Sequence, residues 1–105
     1  MRQVVINTSY GGFHLSDEAI ELYGKYSGLD LVKKGKHYSV GDIHFYDRNI
    51  KRDDENLVKV VLELKEKADG FCSKLKVIEI PIDVEYEIEE YDGNEWVAEK
   101  HRTWN

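Results

Sequence analysis

Nine carboxylates and no lysine or arginine lie between Glu79 and Glu99. The chain holds 21 acidic and 15 basic residues, so the rest of it carries 12 against 15. A stretch of −9 therefore stands beside a remainder of +3. Glu85, Glu87 and Glu89 alternate with Val84, Tyr86 and Ile88, the period of a strand with one acidic and one apolar face. Asp92-Gly93 then signals a type I′ hairpin, with Trp96 and Ala98 on the returning strand. A solvated outer face that discourages edge-to-edge association is the plain reading of such a stripe. The absence of cations across the strand strains it, because like charges two residues apart repel. The chemistry available to Glu85, Glu87, Glu89, Tyr91, Asp92, Glu95 and Trp96 is recognition: long-range attraction of a basic protein surface, or imitation of phosphate spacing. Direct nucleic-acid binding is disfavoured, since a net charge of −6 leaves few cations to neutralise phosphates.

A second candidate is the segment Asn7-Thr8-Ser9-Tyr10-Gly11-Gly12-Phe13, which joins a β-branched run to a helix start. Free backbone N–H groups there can cradle an anion. The segment lacks the lysine and spacing of a P-loop and the G-x-G-x-x-G of a dinucleotide site, and glycine pairs are ordinary breakers, so a structural turn is the simpler reading. As a ligand site it would use Asn7, Thr8, Gly11, Gly12 and Phe13, with Arg48 and Arg102 as cations. The ligand would be a small anion such as a signalling nucleotide.

Nothing else carries a reaction. His14, His37, His44 and His101 show no metal-ligand spacing, and no cofactor is implied. Cys72 is the single cysteine, which excludes an intrachain disulfide and a cysteine zinc cage; a buried structural thiol is expected. Ser9 has no nucleophile elbow around it. The chain reads as a non-enzyme without catalytic residues.

These candidates must be held by one domain spanning residues 1–105. It is long enough for a real core, although it buries only about two-thirds of its unfolded surface. With 41% hydrophobic residues and seven Tyr, three Phe and two Trp, it is not a disordered acidic tail. No stretch approaches the ~20 apolar residues of a membrane span, and Met1-Arg2-Gln3-Val4-Val5-Ile6 lacks a signal peptide's long apolar region and small-residue cleavage site, so a cytoplasmic protein with no membrane partner is expected. Val4-Val5-Ile6 predicts a strand buried on both faces and central in a sheet. Ser16, Asp17 and Glu18 cap a short helix that Gly28 ends. Residues 29–42 read as a mobile loop or weak strand, followed by a strand at Ile43–Tyr46. Asp53 or Asp54 caps the second helix, whose Leu57, Val61, Leu64 and Ala68 form one stripe, with Gly70 as its left-handed stop. Leu75 to Ile80 is a strand that Pro81 must bend or place at an edge. The order β-α-β-α-β-β-β predicts an α+β domain of two layers: a mixed β-sheet with two helices on one face and the acidic hairpin at its C-terminal edge. Trp104 either closes the core or meets a second copy in a homodimer, with Arg102 answering a hairpin carboxylate.

The opening Val4-Val5-Ile6-Asn7-Thr8, Gly11-Gly12-Phe13 and Leu15-Ser16, with the ending Tyr91-Asp92-Gly93-Asn94-Glu95-Trp96-Val97-Ala98-Glu99-Lys100-His101-Arg102-Thr103-Trp104, resembles a family of small, functionally uncharacterised proteins of bacteriophages and prophages. Leu57-Val58, Val60-Val61 and Leu75 to Pro81 resemble it too. The resemblance implies a small accessory protein of the host cytoplasm that binds and inhibits a host protein, with counter-defence as one role. It carries no catalytic residue with it.

Overall fold

The computed structural model describes residues 2–99. It is an α+β fold in which β1 (Arg2–Asn7) pairs antiparallel with β5 (Leu75–Ile80), from Arg2 opposite Ile80 to Asn7 opposite Leu75. Between them come α1 (Asp17–Ser27), a three-stranded antiparallel sheet of β2 (Leu31–Lys34), β3 (His37–Val40) and β4 (Ile43–Phe45), and α2 (Glu55–Leu64). The hairpin of β6 (Tyr86–Tyr91) and β7 (Asn94–Glu99) closes the described chain. Where one mixed sheet was expected, three small sheets form, and every ladder among the described residues is antiparallel.

The helices follow their capping chemistry. The Ser16 side chain accepts from Ala19 N–H, and Gly28 closes α1 at φ 77°. The Asp54 carboxylate accepts from the N–H groups of Asn56 and Leu57. α2 stops earlier than its apolar stripe suggests. Lys65 takes φ 54°, and the chain continues as a 3₁₀ turn over Lys65–Ala68. Gly70 has a different task. A Cβ there would lie 2.7 Å from the His14 backbone, and its N–H donates to His14 C=O at 3.0 Å, so the glycine permits two chain segments to touch.

Val4, Val5, Ile6 and Asn7 are all buried, as the β-branched run predicts. β1 is nevertheless not central in a ladder. Its second edge meets a loop and a side chain: Val5 N–H donates to Arg52 C=O at 2.8 Å, and Asn7 N–H donates to Glu95 Oε1 at 2.7 Å. Alternation gives its two faces different partners. Val5, with Leu75 and Val77 on β5, packs against α1, α2 and Phe13. Val4 and Ile6, with Ile78 and Ile80, pack against Tyr86, Ile88 and Val97 of the hairpin. The hairpin thus covers the face opposite the helices, and β1–β5 is a middle layer with a core on each side.

Residues 31–40, expected to be a loop or weak strand, form β2 and β3. Leu31, Tyr38 and Phe45 turn one face of the small sheet onto the helix-side core, which the periodicity of so short a segment does not reveal. No helix among the described residues is long and apolar enough to cross a membrane.

Candidate functional site

The Asp92-Gly93 turn has φ of 49° and 89°, the left-handed pair of a type I′ turn. It sets Tyr91 opposite Asn94, Glu89 opposite Trp96 and Glu87 opposite Ala98. One face of the ribbon is then apolar and inward, with Tyr86, Ile88 and Val97 packed on β1–β5. Tyr86 is further held by the Arg2 guanidinium, 5.4 Å from its ring centre. Burial, reinforced by the charge of Asp53, pushes the Tyr86 phenol pKa up. The other face carries Glu85, Glu87 and Glu89, all exposed, with Tyr91 67% and Trp96 45% exposed beside them. Trp96 Nε1–H donates to Glu89 Oε2 at 3.0 Å, which fixes the indole against the stripe. Among the described residues no cation pairs with these three glutamates. Asp92 is exposed at the tip.

Glu95 stands apart from the stripe. It points inward and is only 8% exposed. Arg52 grips it with both guanidinium nitrogens, Nη1 to Oε1 at 2.5 Å and Nη2 to Oε2 at 2.9 Å, while Asn7 N–H donates to Oε1. The guanidinium lies over the Phe13 ring, 3.8 Å from its centre. Six of the seven residues assigned to the partner surface are thus outward or exposed, and Glu95 is the anchor beneath them. Arg52 was missed. Its only sequence signal is a lone arginine before a helix cap, and its partner lies 43 residues away.

The same anchor organises the Gly11-Gly12 loop. Asn7 is fully buried; its Nδ2–H groups donate to Ser9 C=O at 2.7 Å and Gly93 C=O at 2.8 Å, and its Oδ1 accepts from Lys74 N–H at 2.8 Å. Gly11 N–H donates to Asp92 C=O at 3.0 Å, and Thr8 N–H to Lys74 C=O at 2.7 Å. A Cβ on Gly93 would lie 2.1 Å from Gly12 N, so this glycine lets two backbones meet. Of the loop's backbone donors, Thr8, Ser9 and Gly11 N–H are engaged, by Lys74 C=O, Asn7 Oδ1 and Asp92 C=O, and Phe13 is buried under Arg52. Arg48 stacks on Tyr46, 5.6 Å from its ring centre. Arg102 and Trp104, with the interface assigned to them, lie outside the described residues.

Cys72 is exposed, which corrects the expectation of a buried thiol. Its φ of 58° belongs to a left-handed turn at the exit of the 3₁₀ segment, beside an 87%-exposed Phe71. Three histidines gather at the three-stranded sheet. His37 meets His44 edge-on at 5.7 Å, His44 stacks on Tyr46 at 6.1 Å, and His14 Nδ1 lies 3.8 Å from Asp47 Oδ2. Among the described residues no group of three or more His, Cys, Asp or Glu is arranged to hold a metal ion.

Comparison with protein-family models, curated proteins and solved structures gave no match for this chain.

Proposed function

We propose that this is a small non-enzymatic accessory protein of a phage that binds and inhibits a host protein, its acidic face docking on a basic, nucleic-acid-handling surface in the host cytoplasm. The observation that carries the reading is the outer face of β6–β7. Three exposed glutamates with no opposing cation flank two exposed aromatics, one of them held in place by a glutamate. Uncompensated carboxylates accelerate encounter with a basic partner, and rigid aromatics supply contact area at low entropic cost. The ribbon is supported from behind by its own apolar core and by the Arg52–Glu95 pair, so the face is presented without rearrangement on binding. Counter-defence is the role that the phage resemblance suggests for such a binder.

The test begins with a partner captured from a host lysate and purified. Glu85→Gln, Glu87→Gln and Glu89→Gln together should slow association roughly tenfold or more at low ionic strength and flatten its salt dependence, with dissociation changed much less. All three side chains are exposed, so the variant should unfold at an unchanged denaturant midpoint. An association rate and salt slope equal to those of the unaltered protein would return the stripe to a solvated face.

A further inference from the structure

The register of the three-stranded sheet sorts its side chains onto two faces. Leu31, Tyr38 and Phe45 turn inward to the helix-side core. On the other face Val32, Ser39 and His44 stand in one row, and Lys34 lies opposite His37 in the next. Ser39 is buried between its neighbours, whereas Val32, Lys34, His37, His44 and Tyr46 are all exposed. The rings on this face are in continuous contact: His37 meets His44 edge-on at 5.7 Å, His44 stacks on Tyr46 at 6.1 Å, and the Arg48 guanidinium lies 5.6 Å from the Tyr46 ring centre. Singly exposed rings are ordinary, but here three rings and a guanidinium run across one open surface.

The charges beside these rings have one sign. Lys34, Lys36 and Arg48 are exposed and make no ion pair among the described residues. Asp47 is turned away, accepting from Leu15 N–H at 2.8 Å and Arg48 N–H at 2.9 Å. Asp30 and Asp42 flank the Leu31–Val40–Ile43 end of the strands, opposite the end where Lys36 and His37 lie. The net charge of −6 that speaks against a nucleic-acid partner is a sum over two poles. Its nine carboxylates between Glu79 and Glu99 belong chiefly to the hairpin on one face of β1–β5, while the small sheet packs on the core of the other face. Exposed charges farther apart than about 10 Å are largely screened at 0.1 M salt. An acidic protein would use only the cations of this surface; the bases and phosphates of a single strand use its rings and its cations together.

We propose that the outer face of β2–β3–β4 binds single-stranded nucleic acid: bases stack on His37, His44 and Tyr46, and phosphates reach Lys34, Lys36 and Arg48. Three strands about 4.8 Å apart make a platform for two or three bases. The face is separate from the acidic ribbon, and the proposal stands or falls independently of the reading above.

Fluorescence anisotropy with labelled oligouridylate and oligothymidylate of about ten nucleotides, and with a duplex of the same length, tests it. At least one single strand should bind saturably at low salt, the tighter of the two naming its source as RNA or DNA. The duplex, whose bases are stacked on each other, should bind at least about tenfold more weakly. Affinity should fall with salt at a log–log slope of about −2, roughly 0.7 for each phosphate contact, and Lys34→Gln with Lys36→Gln should reduce that slope by about 1.4. Tyr46→Leu should weaken the single strand roughly five- to tenfold and leave the salt slope unchanged, a split that a merely electrostatic surface does not produce. Circular dichroism checks that the variants fold; should Tyr46→Leu not fold, His44→Leu on the same exposed face carries the same expectation. The proposal fails if neither strand binds saturably, if the duplex or polyglutamate binds as tightly as the single strand, or if the variant that lacks a ring binds as the parent does.

Discussion

Arg52 ties together three parts of the chain: its carbonyl accepts from β1, its guanidinium covers Phe13, and both its terminal nitrogens hold Glu95 on β7. A buried pair of this kind is weak evidence for net stability, but removing one partner strands a charge in the interior. Arg52→Met and Glu95→Gln should each lower the unfolding free energy, by about 3–5 kcal/mol for full loss of the charge partner and less where Gln still accepts from Asn7. The double variant should cost well under the sum of the two. A denaturant double-mutant cycle measures the coupling, and additive losses would show that the pair does not act as a unit. Glu95 also faces Glu90 directly across the hairpin. Two opposed carboxylates are tolerated there because Arg52 engages one of them.

At the scale of elements, the hairpin turn and the Gly11-Gly12 loop form one joint. Gly93 is the tightest point of it, with positive φ and a notional Cβ 2.1 Å from Gly12 N. Gly93→Ala should destabilise the protein by about 1–3 kcal/mol, through strain and through backbone separation. The loss should be local first: the Gly11 amide, which donates to Asp92 C=O, should lose protection from hydrogen exchange more than the amides of α2. Equal loss everywhere would mean that the joint does not open by itself. Gly70 makes a similar close approach, to His14, which explains a glycine that its place after a helix had suggested was a stop.

At the scale of the molecule, the described residues form two apolar cores that share the β1–β5 ribbon, one under the helices and one under the hairpin. Shared strands should make them unfold together. Leu57→Ala, at a fully buried position in the first core, should cost about 2–5 kcal/mol, and Ile88→Ala, half-buried in the second, about half as much. Helix signal by circular dichroism and hairpin amide intensities by NMR should then fall at one urea concentration in each variant. Separate midpoints would identify the hairpin as an independently melting unit.

What the sequence by itself determined was local: caps at Ser16 and at Asp53 or Asp54, of which the structure uses Asp54, the stop at Gly28, the two-residue turn at Asp92-Gly93, the alternation that separates Glu85, Glu87 and Glu89 from Tyr86 and Ile88, and with these the α+β class. Each rests on contacts within a few residues, where spacing and side-chain chemistry are enough. Tertiary structure decided everything that depends on partners far along the chain. It divided the sheet into three, laid the hairpin over the face opposite the helices, and brought Arg52 to Glu95 across 43 positions. It turned Glu95 inward while its neighbours stayed out, and set Asp92 C=O on the Gly11 amide. It also buried the Tyr38 hydroxyl, because no local pattern records which polar groups the final packing will enclose.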